Sequence, residues 1–168
     1  MEESVDVERI DTAEHDGDTG SGKCLDPAIR IRELFGCKSI DIRTYSPLTL
    51  AYIGDAVFDL IIRTMVVEKG NRSAHALHKA SVVYVKAATQ AAMIELLLPD
   101  LTEEETAVYH RGRNAKSYTT AKNAAVGDYR KATGLEALMG YLYLQGKLDR
   151  CMLLVREGIN RIGRKQQK

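Results

Sequence analysis

After Ser46, apolar positions recur every three or four residues along most of the chain, and nowhere do they alternate as a strand would. The longest run, "SPLTLAYIGDAVFDLIIRTMVVEKG", has Ser46 to cap it, Pro47 at its first helical position and Gly70 to close it. The stretch "SAHALHKASVVYVKAATQAAMIELLLPDL" predicts one short and one long helix between about Ser73 and Leu98, stopped by Pro99. Thr102 and Glu105 then stand in capping-box spacing at the head of "LTEEETAVYHRGRNAKS", with acids in the first turn and bases in the last. A loop over "SYTTAKNAAVG" leads to a helix from about Asp128 to Gln145, broken at Gly146, and an amphipathic helix follows from Leu148 to about Ile162. The pattern predicts an all-α, compact single domain of about six helices.

Ahead of Ser46 the pattern changes. "MEESVDVERIDTAEHDGDTGSGK" is polar and acidic with no sustained period, and reads as disordered. Asp26, Pro27 and Gly36 bracket a short helix over residues 27–35. The chain thus divides into an acidic leader, residues 1–45, and a helical domain, residues 46–168.

Charge follows the same boundary. The leader holds 6 Lys/Arg against 11 Asp/Glu and the remainder 18 against 12, so the net +1 conceals a mildly basic domain. Such a domain permits a polyanionic partner without requiring one. Three cysteines without C-x-x-C spacing, and a lone His75–His78 pair, argue against a disulfide framework or a zinc site. No apolar run approaches the roughly 20 residues of a membrane helix, and the N-terminus lacks a hydrophobic signal region. A cytoplasmic protein with no membrane partner is expected.

Two carboxylates sit on otherwise apolar helical faces. Asp55 follows Gly54 in the middle of the longest run, where glycine costs about 1 kcal/mol relative to alanine and a buried, unpaired acid costs more. Glu136 lies in "TGLEALMGYLYL", on a strip with Thr133, Gly140 and Tyr143. The two glycines allow close approach of a backbone or a ligand. A hard cation such as Mg²⁺ would relieve both acids, since it takes one or two carboxylates, waters and substrate phosphate. The alternative is structural: each acid paired with a Lys or Arg, or bonded to a tyrosine.

Between them, "HRGRNAKSYTTAKNAAVGDYRK" is the most basic part of the chain. Arg111, Arg113, Asn114, Lys116, Lys122, Asn123 and Arg130 combine forked donors, point charges and short amides, the mixture that holds phosphates. Arg111 and Arg113 taken alone would also suit a helix C-terminus, where bases complement the dipole.

These residues carry a resemblance. "YIGDAVFDL" resembles the signature helix of the ribonuclease III family, and "HRGRNAKS", "AKN" and "YRKATGLEALMGYLYL" resemble its Mini-III branch, in order over about residues 46–165. The resemblance implies a homodimeric, all-α, Mg²⁺-dependent endonuclease that cuts double-stranded RNA, leaving a 5′ phosphate and a 3′ hydroxyl. Asp55 falls on the signature acid and Glu136 on the second catalytic, metal-binding acid. Longer members use four acids; here Ala51 and Thr133 stand at the other two positions, which leaves the number of metal ions open. Tyr52 matches an aromatic that plugs into the partner subunit. Asp59, one turn past Asp55, is either an outer helper of the site or a surface salt-bridge partner.

No double-stranded-RNA-binding domain is expected after the last helix. Selectivity would then need a structured substrate, for which the branch suggests the large-subunit (23S) ribosomal RNA precursor, or an assisting ribosomal protein. Two rivals remain: a non-catalytic RNA- or ribosome-binding module that keeps the fold, and a helical adaptor, which leaves the basic segment unexplained.

Overall fold

The computed structural model describes residues 26–116 and 126–165. Their helices are α1 (Pro27–Leu34), α2 (Pro47–Glu68), α3 (Ala74–Val85), α4 (Ala87–Leu97), α5 (Glu103–Asn114), α6 (Val126–Leu144) and α7 (Leu148–Lys165). Short 3-10 turns occupy Ile42–Thr44 and Leu98–Asp100, and no strand occurs among the described residues. The fold is all-α, as the apolar period predicts. No single described helix is long and apolar enough to cross a membrane.

The helix ends form for the local reasons read in the sequence. The Ser46 hydroxyl accepts the Thr49 N–H at 3.0 Å. Thr102 and Glu105 close a reciprocal capping box, the Glu105 N–H donating to Thr102 Oγ1 and the Thr102 N–H to Glu105 Oε2. Gly146, at φ 72°, ends α6. One boundary differs. In place of a short and a long helix, α3 and α4 have 12 and 11 residues and meet at Lys86, whose ψ of 139° breaks the helix. Neither glycine nor proline marks that break; the Thr89 hydroxyl closes the bend by donating to the Val83 carbonyl at 2.8 Å.

Helix α6 is the axis of the molecule. Every residue from Ala132 to Leu142 is buried except Glu136, which is half-buried. It packs most extensively against α2, then against α5 and α4. The α2–α6 crossing is close because it is glycine on glycine. A Cβ on Gly54 would overlap the Glu136 carbonyl oxygen and lie 2.6 Å from the Gly140 nitrogen, and one on Gly140 would overlap the Leu50 carbonyl oxygen. On the opposite side, a Cβ on Gly112 of α5 would come within 2.6 Å of Ala137 Cβ. The surrounding apolar side chains, Phe58, Ile62, Met93, Leu135 and Leu138 among them, are fully buried.

The chain ahead of Ser46 is joined to this body from Asp26 onward. Asp26 Oδ1 accepts the Ala28 N–H at the start of α1, and its Oδ2 accepts the Leu148 N–H at the start of α7, both at 3.1 Å. Arg32 donates to the Leu144 carbonyl at 3.0 Å. Residues 1–25 lie outside the described residues.

The glycine contacts predict opposite outcomes for one substitution at two helical sites. Gly54→Ala should destabilise the protein by about 3 kcal/mol or more, because the neighbour that must yield is backbone. A Cβ on Gly163 in α7 would meet nothing within 4 Å, so Gly163→Ala should stabilise by up to ~1 kcal/mol. Urea unfolding midpoints check both; a Gly54→Ala variant as stable as the parent would show that the crossing is not tight.

Candidate active site

Glycine at position 54 lets the α2 backbone rest on the Glu136 carbonyl, and the next residue, Asp55, is thereby carried to the flank of α6. Asp55 and Glu136 line one cleft of about 590 Å³. Ala51, Tyr52, Tyr129 and Thr133 line it too, so the positions where longer enzymes were expected to carry their other two acids share the same space. Thr133 is buried and its hydroxyl donates to the Tyr129 carbonyl at 3.0 Å. The quartet of positions converges, with two acids in it.

The electrostatics are those of an anionic site short of countercharge. Burial, then the neighbouring charge of Asp55, pushes the Glu136 carboxyl up to about 8, with a hydrogen bond from Gln90 opposing the rise. Asp55 is exposed, yet its carboxyl is also raised, by partial burial and by Asp59. Among the described residues, neither acid forms an ion pair with a Lys or Arg. Asp59 does: Arg63 Nε donates to its Oδ2 at 2.6 Å. Asp59 thus has the surface salt-bridge partner that one of its two readings expects, while its charge also acts on Asp55.

Arg111, Arg113, Asn114, Lys116 and Arg130 are all exposed. Arg111 and Arg113 flank Gly112, which lies against Thr133, Gly134 and Ala137, so the basic end of α5 packs at the same level of α6 as Glu136. Arg111, Arg113, Lys116 and Arg130 make no ion pair among the described residues, whereas Lys131 is paired with Glu95. Lys122 and Asn123 lie outside the described residues. Tyr52 stands 83% exposed on α2.

Gln90 is the residue that sequence reasoning missed. It is 2% exposed on the apolar side of α4, and its amide works against the rise of the Glu136 carboxyl. The one signal that could have found it is a glutamine inside "ATQAAMIELL", buried alongside Met93, Ile94 and Leu97.

Comparisons with known proteins identify the family. The Ribonuclease III domain profile matches residues 48–147, more than half of the chain. The chain belongs to the ribonuclease III family. Within it, the similarity is to Mini-ribonuclease 3 proteins. That of a Thermoanaerobacter species is 50% identical over 109 residues, covering 65% of this chain and 77% of the relative. That of Enterococcus faecalis is 43% identical over 130 residues, covering 76% of this chain and 98% of the relative. A crystal structure of a Fusobacterium nucleatum protein superposes with a TM-score of 0.65 at 33% identity, covering 73% of this chain and 98% of that one. This places the ribonuclease III family member in the Mini-III branch, and both Asp55 and Glu136 fall inside the matched domain.

The Glu136 carboxyl sets a pH dependence of stability. The unfolded chain releases this proton near pH 4.5 while the folded protein keeps it to about pH 8. Stability of the metal-free protein therefore falls as pH rises through that window and levels off above it. At about 1.4 kcal/mol per pH unit the loss amounts to at most a few kcal/mol. In EDTA, Glu136→Gln should melt with the parent near pH 5 and above it beyond pH 8. Melting curves in which the parent gains on the variant as pH rises would show a glutamate held ionised by a partner.

Proposed function

We propose that this protein is a Mg²⁺-dependent endoribonuclease that cuts double-stranded RNA, with Asp55 and Glu136 as its catalytic and metal-binding acids. One observation carries the reading: both acids line a single cleft, with no described base to neutralise either. Family membership supports the nuclease activity and its duplex substrate.

The donor set fits a hard divalent cation. No group of three His, Cys, Asp or Glu side chains gathers among the described residues. Two carboxylates in an open cleft, however, leave positions for water and substrate phosphate, which is the ligation magnesium prefers. The raised Glu136 carboxyl is the energetic counterpart: a cation there reverses the desolvation and repulsion that keep the proton on. When bound, such a cation supplies charge neutralisation at the scissile phosphate and acidifies water for in-line attack. The chain does the rest. Asp55 at the exposed side and Glu136 deeper in the cleft would hold the cation. Arg111, Arg113, Lys116 and Arg130, with Asn114, Lys122 and Asn123, would bind phosphates on either side of the cut. Products would be a 5′ phosphate and a 3′ hydroxyl.

Tyr52, exposed on α2 one turn after the exposed Leu48, would anchor a second copy. Two clefts related by that dimer axis would then cut opposite strands across the minor groove, where A-form RNA presents shape, phosphates and 2′-hydroxyls. A structured precursor of the large-subunit ribosomal RNA, with a ribosomal protein assisting, is the substrate setting the branch suggests.

The test incubates duplex RNA with the protein in Mg²⁺ or in EDTA. Asp55→Asn and Glu136→Gln should each lower cutting by more than about 100-fold while RNA binding in EDTA persists, since each removes a direct ligand rather than an outer partner. Neutralising Arg111, Arg113 or Lys116 should weaken binding and reduce its salt slope by about one, and Tyr52→Ala should sediment toward monomer. Undiminished cutting by Asp55→Asn would sink the assignment of that residue, whereas a parent protein that binds duplex RNA and does not cut it in Mg²⁺ would leave a non-catalytic RNA-binding module.

A further inference from the structure

Three charged residues follow one another a turn apart on α2: Asp55, Asp59 and Arg63. Spacings of i, i+4 and i+8 put them on one stripe of the helix, with Arg63 about 12 Å along the axis from Asp55. Arg63 is the one base within α2, against Asp55, Asp59 and Glu68. Its side chain is 59% exposed, and its Nε donates to Asp59 Oδ2 at 2.6 Å. It makes no other hydrogen bond or ion pair among the described residues, so both terminal amino groups keep their donors. The direction of the helix matters too. Leu50 lies against Gly140 and Gly54 against Glu136, so α2 and α6 run antiparallel where they cross. Past Asp55, α2 therefore continues toward the N-terminal part of α6, whose Tyr129 and Thr133 line the cleft.

We infer that the Arg63 guanidinium is a further phosphate-binding group, holding a backbone phosphate of the duplex on the α2 rim of the cleft. The inference rests on the reading of the cleft as a duplex-RNA site. Without Arg63, the α2 rim would offer a polyanion only the carboxylates of Asp55 and Asp59. An exposed ion pair at i, i+4 adds little to helix stability, and a lysine would form it as well. Arginine differs in its planar fork: one edge can rest on a carboxylate while the remaining donors take a second anion. The bond to Asp59 holds that fork a full turn beyond Asp55, so the acid proposed to bind the cation stays unpaired.

The experiment titrates the full chain with duplex RNA in EDTA, where no cutting intervenes, over a series of KCl concentrations. Arg63→Gln should reduce the salt slope of binding by about one, with affinity roughly 8-fold lower at 0.1 M salt, the factor one lost counterion implies. Arg63→Lys should restore the parental slope, because the point charge remains. Lys38, exposed beside Tyr143 and Leu144 at the far end of α6, is the control, and Lys38→Gln should leave the slope unchanged. A parental slope in Arg63→Gln, or an equal loss in Lys38→Gln, would overturn the contact; a slope still lowered by Arg111→Gln would then leave the duplex-RNA reading standing. A parent chain that binds no duplex RNA at any salt would overturn that reading and this inference with it.

Discussion

The contact between the α2 and α6 backbones at Gly54 and Gly140 is the constraint on which the site depends. Neither position has room for a Cβ. With larger residues there the two helices would stand farther apart, and the carboxylates of Asp55 and Glu136 would no longer line one cleft. The glycine and the aspartate that look like adjacent defects in a core helix are therefore one device. Gly54 brings α2 against the Glu136 carbonyl, and Asp55 uses the proximity. The helix-propensity loss, about 1 kcal/mol, is small beside the apolar burial that Phe58, Ile62 and their neighbours contribute to the same helix.

A second opposition, between burial and charge, gives the site its chemistry. Where the fold needs an ionised acid for stability it supplies a base: Glu105, buried, accepts from Arg150 at 2.8 Å, and its carboxyl lies below the ordinary range. Glu136 is treated differently: no described base pairs with it, and its carboxyl lies above the ordinary range. Two buried or half-buried glutamates in one small domain, shifted in opposite directions, are consistent with a structural role for Glu105 and with the site role proposed for Glu136. Ala51 and Thr133 extend the contrast, since they line the cleft without adding charge to it.

Most of the architecture is legible in the sequence because it is written locally. Ser46, Pro47, the Thr102–Glu105 box and Gly146 act within one turn of themselves, and all stand at the helix ends their residue types predict. The break at Lys86 is not legible, because a backbone rotation at an ordinary residue between two apolar runs leaves no compositional mark. The sharing of one cleft by Asp55 and Glu136 depends on long-range packing, which periodicity does not encode; the resemblance to ribonuclease III signatures supplies it. The docking of α1 through Asp26 and Arg32 is equally non-local. Gln90 escapes notice because one amide in an apolar helix reads as a surface position until its neighbours are known.

Crystals of the full chain grown with Mn²⁺ would test the central claim most directly, through the anomalous signal of the metal. The expected result is manganese in the cleft within coordinating distance of both the Asp55 and the Glu136 carboxylates. Manganese absent from that cleft, or bound to only one of the two acids while the other is paired with an arginine or lysine, would contradict it.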